Sequence, residues 1–305
     1  WGYSLDQAIR SGIENPDSAI GLYAGDAQAY TLFSDLFKKV IQSYHKSQDT
    51  HVSDLGPIEL EDLDPGKEYI LSTRIRTARN IKGIPFPPHM DDQERTLVEK
   101  RVTGACRHLP PGLAGVYISL ENLDTETQNR LRAQKLIFPK GDRFMEAAGV
   151  NRGFPKGRGT FISRPGDPKS PGNPIFMIWV NEEDHLRIIS METSSNIARV
   201  FNQLARGIQS LSTSLEFALD PLYGNLTSCP TNIGTGLRAG VHIRLEKLDK
   251  KRQTLERIVR AHHLQIRGTG GEKTRVRKAV FDISNKHRLG KTERQIILDL
   301  HQGLK

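Results

Sequence analysis

The sequence is short of several things, and each shortage closes off a class of protein. Cysteine occurs only at Cys106 and Cys229. Two thiols so far apart offer no disulfide framework, so a reducing, cytoplasmic setting is the expectation. No apolar run approaches the roughly 20 residues that cross a bilayer, so no membrane span is expected. The opening WGYSLDQAIR has no secretory pattern. No zinc motif, recognition helix or aromatic stacking platform is present, which argues against sequence-specific binding of nucleic acid. No set of side chains stands out as a metal site. There is no GxxxxGK[ST] loop either, so any phosphate must be held by other means than a P-loop. No internal repeat is visible.

What is present suits a soluble globular chain of one large domain or two, with 36% hydrophobic and 26% charged residues. The net charge is +9. Much of it sits in KKRQTLERIVR (250–260), EKTRVRKA (272–279) and KHRLGKTER (286–294). Solvated helix and loop faces are the plain reading of these segments. The sharper one is an acidic partner, such as a cytoskeletal polymer or a membrane surface.

Along the chain, Leu32, Phe33, Leu36, Phe37, Val40, Ile41 and Tyr44 recur at helical spacing, which predicts one amphipathic helix over 29–45. The stretch 15–27 has turn chemistry and reads as a loop. Helical character is also expected over 91–107 and 124–137. IFMIWV (175–180) reads as a buried strand. A long helix follows from about Ile197, with Ser194 or Ser195 as its N-cap. Thr292 and Gln295 form a capping-box pattern before a last helix.

Two stretches alternate with period 2. In 237–245, Leu237, Ala239, Val241, Ile243 and Leu245 share one parity, and Arg238, Gly240, His242 and Arg244 the other. In 69–77, Ser72, Arg74 and Arg76 oppose Leu71, Thr73 and Ile75. Both predict strands with an apolar face toward a core and a cationic face toward something wet and anionic.

These stretches also carry a resemblance. STRIRTAR (72–79), VNEEDHLRIISM (180–191), CPTNIGTGLRAGVHI (229–243), IRGTGGE (266–272) and VFDISNKHRLG (280–290) resemble, in order and spacing, motifs of the phosphagen kinases, the ATP:guanidino phosphotransferases. The resemblance implies an α+β fold of the glutamine synthetase/guanidino kinase kind. A small all-helical N-terminal domain would occupy 1–53, a linker 54–67, and a larger catalytic domain with an antiparallel sheet flanked by helices 68–305. It also implies further helical sequence before Trp1 and a helix after Lys305.

The implied reaction is reversible transfer of the ATP γ-phosphoryl group to a guanidino nitrogen, with Mg-ATP and Mg-ADP as the nucleotide forms. Arg74, Arg76, Arg187, Arg238 and Arg267 match the family's phosphate-binding arginines, and guanidinium forks suit phosphate oxygens. Arg238 also counts as catalytic, through transition-state charge. Ser72, His242 and Asp282 match residues near the nucleotide; for His242, a ring merely packed in the sheet is as good a reading. Glu183 matches the glutamate that holds the substrate guanidinium. Cys229 matches the reactive cysteine, with Ser228 and nearby arginines expected to pull its pKa down toward the thiolate.

The substrate reading rests on the loop DSAIGLYAGDA (17–27). It resembles the short specificity loop of arginine kinases, which places Ser18, Gly21 and Tyr23 at the substrate. Glu272 matches a second guanidinium-binding glutamate. Arginine is therefore the first choice, with creatine, taurocyamine and lombricine as alternatives. Two departures count against activity. Ile162 stands where the family has a histidine near the adenine, with a Pro/Gly/Ser loop over 163–174 behind it, and the segment after Glu272 is strongly basic, with Lys273, Arg275, Arg277 and Lys278. The alternative is a catalytically weakened member serving as a structural or binding protein on an acidic partner. Oligomer formation is left open.

Overall fold

Helix α1 (Leu5–Glu14) starts on a reciprocal cap, Ser4 Oγ accepting from Gln7 N–H and the Gln7 side chain from Ser4 N–H. The computed structural model describes residues 2–47, 49–163, 175–267 and 279–305. The helix expected over 29–45 is two pieces, α2 (Ala29–Leu32) and α3 (Ser34–His45). Phe33 leaves helical dihedrals, and its carbonyl restarts the ladder by accepting from Leu36 and Phe37 N–H. The break lets Tyr30 donate to Thr227 O at 2.7 Å while Phe37 and Ile41 stay in the same buried cluster.

After a linker comes strand β1 (Ile70–Arg79), then α4 (Asp92–Cys106), β2 (Gly115–Ser119), α5 (Thr125–Ala133) and α6 (Arg143–Ala147). Strands β3 (Gly159–Ser163), β4 (Ile175–Val180) and β5 (Leu186–Glu192) lead into α7 (Ile197–Ser212). The N-cap of α7 is Asn196, whose side chain accepts from Arg199 N–H at 2.9 Å, and not Ser194 or Ser195. Ser195 Oγ is committed to the linker, donating to Asp64 O and Asp62. A short pair, β6 (Leu219–Asp220) and β7 (Gly224–Asn225), precedes β8 (Arg238–Arg244). The chain continues through α8 (Glu246–Asp249), α9 (Arg252–Ala261), β9 (Leu264–Arg267) and β10 (Val280–Asn285). It ends with α10 (Glu293–Leu304), which carries the expected Thr292–Gln295 capping box.

Among the described residues, eight strands form one antiparallel sheet in the order β2-β3-β4-β5-β1-β8-β10-β9. The fold is thus a small helical N-terminal part and a larger part built on an antiparallel sheet flanked by helices. One sheet face buries Ile75, Val241, Ile188 and Phe176 against α4, α7 and α10. The N-terminal helices do not form an isolated core. Their apolar side chains share a cluster with Phe86, Leu226, Ile233 and Leu289 from the larger part.

Candidate active site

Residues directly opposite in an antiparallel pair project from the same face. The register therefore assembles the other face of the sheet row by row. Arg76 lies opposite Arg238, and Arg74 opposite Gly240. Ser72, His242, Asp282 and Arg267 form one lateral row across β1, β8, β10 and β9. Arg187 joins the same face through its pairing with Ala78. All five arginines picked from the sequence thus share one face, four of them on the central strands β5, β1 and β8 and Arg267 on the edge strand β9.

Their charges are only partly answered. Arg238 Nη2 meets Asp282 at 2.7 Å. Arg187 reaches Glu182 at 2.8 Å and Glu183 at 2.9 Å. Arg74 and Arg76 have no carboxylate partner among the described residues. Arg74 lies over the Trp179 ring, 5.3 Å from its centroid, and its buried Nε and Nη2 have no hydrogen-bond partner. Burial, with Arg187 and Arg238 nearby, lowers Arg74 to about 10. The same causes, burial first, lower Arg76. Unanswered cations with orphaned donors on one face fit a polyanion. His242 Nδ1 meets Ser72 Oγ at 3.3 Å, and burial lowers its pKa although Asp282 opposes.

A second group of residues collects beside the arginines. Glu182 and Glu183 occupy the turn between β4 and β5. Cys229 precedes a short turn, Pro230–Asn232, whose Asn232 Nδ2 donates to Glu183 Oε2 at 3.3 Å. The loop before α2 comes in from the N-terminal part. Ala24 N–H donates to Ser228 O at 2.7 Å, and Tyr23 packs in one cluster with Cys229, Val150 and Met145. Gly21 is required in that loop. Its φ is +64°, and a Cβ there would lie 2.4 Å from Gly12 Cα. Ser18 Oγ accepts from Gly21 N–H at 3.0 Å and so shapes the loop itself. Tyr23, Glu183 and Cys229, which come from three separate elements, are thus brought together. Glu272 and the loop 164–174 lie outside the described residues.

Burial raises the Glu183 carboxyl; Arg187 opposes this, and Glu182 and Asp184 reinforce it. The expectation of a depressed Cys229 pKa is corrected. Burial and the charge of Glu183 push the thiol up to about 12, against a hydrogen bond with Thr231 Oγ1 at 3.1 Å. Ser228 is not among the groups that shift Cys229; it serves Asp184 instead, its backbone N–H donating to Asp184 Oδ1 at 2.6 Å.

Ile162 is on the arginine face but not among the arginines. Its row runs Ile162, Met177, Ile189, Arg76. Three strand spacings separate Ile162 from Arg76, about 14 Å. It packs at the edge of an apolar cluster with Met177, Trp179 and Phe138.

The sequence reading missed several groups here. Asp184 is 1% exposed and holds Ser228 N–H and Asn80 Nδ2. Arg288 donates from Nη1 to Thr231 O at 2.6 Å, bracing the turn after Cys229. Trp179 shares the parity of Met177 on β4, which was the available signal for its facing the arginines.

Comparison with known proteins shows the family. The profile of the ATP:guanido phosphotransferase C-terminal catalytic domain matches residues 97–305, and that of the N-terminal domain residues 1–42. The chain belongs to the ATP:guanido phosphotransferases, the phosphagen kinases. It is 43% identical to a probable arginine kinase of Caenorhabditis elegans, over all of this chain and 84% of that protein. It is 42% identical to an arginine kinase of Anthopleura japonica, of which it spans 42%. Among solved structures, a lombricine kinase matches with a TM-score of 0.89 and 37% identity, over 99% of this chain and 84% of that one. The substrate-free duplicated taurocyamine kinase of Schistosoma mansoni matches with a TM-score of 0.90 and 34% identity, over 99% of this chain and 42% of that one. No helix among the described residues is long and apolar enough to cross a membrane.

Proposed function

We propose that this phosphagen kinase moves the ATP γ-phosphoryl group reversibly to a guanidino nitrogen of arginine. One observation carries the reading: a face of arginines, two of them without a carboxylate partner among the described residues, borders a group made of Glu183, Cys229 and Tyr23. Phosphoryl transfer asks a protein for alignment and charge neutralisation more than for covalent chemistry. Arg74, Arg76, Arg187, Arg238 and Arg267 would clamp the phosphates. Glu183 would hold the substrate guanidinium and take a proton from the attacking nitrogen.

Cys229 would support that guanidinium electrostatically once its charge arrives, and Tyr23, Ser18, Gly21 and Glu272 would meet the amino-acid end. Ser72, His242 and Asp282 would lie along the nucleoside. Magnesium would enter with the nucleotide and screen its β- and γ-phosphates; no cluster of three or more His, Cys, Asp or Glu side chains among the described residues is placed to hold a metal. Arginine is preferred because the loop 17–27 matches that of arginine kinases and the chain is about 40% identical to them. A coupled assay with Mg-ATP against arginine, creatine, taurocyamine and lombricine tests the reading. Turnover confined to a guanidine other than arginine would overturn the substrate, and none with any of them the activity. An acidic partner on the exposed face of α9, with Arg257 and Arg260, belongs to a separate reading in which the protein also docks.

A further inference from the structure

Glu183 already holds a guanidinium. Arg187 Nη2 is 2.9 Å from Glu183 Oε2, in the place the reading above gives to the substrate. Arg187 is also the arginine whose other terminal nitrogen is held, by Glu182 Oε1 at 2.8 Å. All three side chains are largely buried, 13–15% exposed, so solvent does little to weaken the two contacts. Glu182 is anchored in turn, since its Oε2 accepts from Glu183 N–H at 2.8 Å. An arginine carries five N–H donors, so Arg187 can keep a carboxylate and still face a phosphate.

We propose that Glu182 is a positioning residue: it keeps Arg187 aimed at the phosphates while Glu183 exchanges the Arg187 guanidinium for that of the substrate. The proposal rests on the phosphoryl-transfer reading and adds an order to it. Without nucleotide, Glu183 is engaged, and an incoming guanidinium also meets the uncompensated charges of Arg74 and Arg76. A bound polyphosphate offsets those charges and draws on Arg187, which weakens its hold on Glu183. Burial lowers the Arg187 pKa, but Glu182, Glu183 and Asp184 together raise it by more, so its charge persists through the exchange. Nucleotide and guanidine should then bind with positive coupling, reciprocal by linkage. Without the Glu182 charge, Arg187 would have Glu183 alone as its carboxylate partner and would release it less readily.

The test is a double titration. The dissociation constant of the guanidine that supports turnover is measured with and without Mg-ADP, in the parent and in Glu182→Gln. The ratio in the parent should be at least about fivefold, and it should fall toward one in Glu182→Gln. Glu182→Asp, which keeps the charge on a shorter arm, should recover part of it. A general loss of packing would weaken both constants and leave their ratio alone, so the ratio separates positioning from structure. Equal coupling in parent and Glu182→Gln, or none in the parent, overturns the proposal alone. A parent that turns over no guanidine removes the reading beneath it, and the proposal with it.

Discussion

Arg76 and Arg238 are register partners across β1 and β8, two cations side by side on a sheet. Like charges directly opposite cost stability. Arg238 is answered by Asp282, and Arg76 by no carboxylate among the described residues. The pair is therefore a strain the fold carries for a ligand. Arg76→Met should leave the thermal midpoint unchanged or raise it, while lowering kcat/KM by about a hundredfold or more, the scale of losing one charge stabiliser at a transition state. Arg238→Ala should lose activity comparably with the fold intact, as circular dichroism would show. Either variant keeping most of its activity would remove that arginine from the site.

The Cys229 thiol, pushed up to about 12 by burial and Glu183, should be a slow nucleophile at neutral pH in the ligand-free protein. Alkylation by iodoacetamide, followed at Cys229 by peptide mass spectrometry, should still be accelerating at pH 9. Glu183→Gln removes the largest charge opposing the thiolate, so its profile should shift to lower pH. A parent profile that levels off by pH 8 would contradict the burial argument.

The parity of Arg74, Arg76, Arg238 and His242 was legible in the sequence because a strand's period is two, and the neighbours that share a face follow from it. Local caps were legible where the partner is three residues away, as at Thr292 and Gln295. What depends on a distant element was not. Ser195 lost its capping role to the linker at Asp62 and Asp64, and Phe33 breaks a helix so that Tyr30 can reach Thr227. The sign of the Cys229 shift failed for the same reason: the arginines were visible in sequence, but the burial and the neighbouring carboxylate belong to the fold. Arg288 lies in a segment whose plain reading is a solvated face, and nothing local singles out Asp184; the folded chain buries both.

Ile162 stands about 14 Å along its row from Arg76, in apolar company with Met177 and Phe138. An aliphatic side chain there can contact a base but cannot hydrogen-bond to it. Calorimetric titration with ADP should find measurable binding in the parent, and binding several-fold tighter in Ile162→His, the size of one modest hydrogen bond of about 1 kcal/mol. Undetectable binding in the parent, restored by histidine, would favour the docking protein over the enzyme.

His185 gives the fold a definite response to acid. Its Nδ1 accepts from Ile81 N–H at 2.9 Å and its Nε2–H donates to Pro85 O at 2.8 Å, an arrangement only the neutral ring can make. Burial lowers its pKa from 6.5 to about 4. As pH falls below 6.5, the unfolded chain therefore takes up this proton before the folded one does. The residue's contribution to stability is complete above pH 6.5 and drains away down to about pH 4, by an amount on the order of 3 kcal/mol. His45, likewise lowered by burial to about 4, adds a loss of the same sign. Glu183 and Asp184 work the other way, since burial raises both and the folded chain protonates them first. The net slope of the parent thus mixes opposing groups, and a variant is needed to isolate the histidine. Urea unfolding of the parent and of His185→Gln should be compared between pH 7 and pH 4.5. The variant will be less stable at pH 7, but the gap between the two should narrow as pH falls. A gap that stays constant across the window would mean that His185 is not held neutral by the fold.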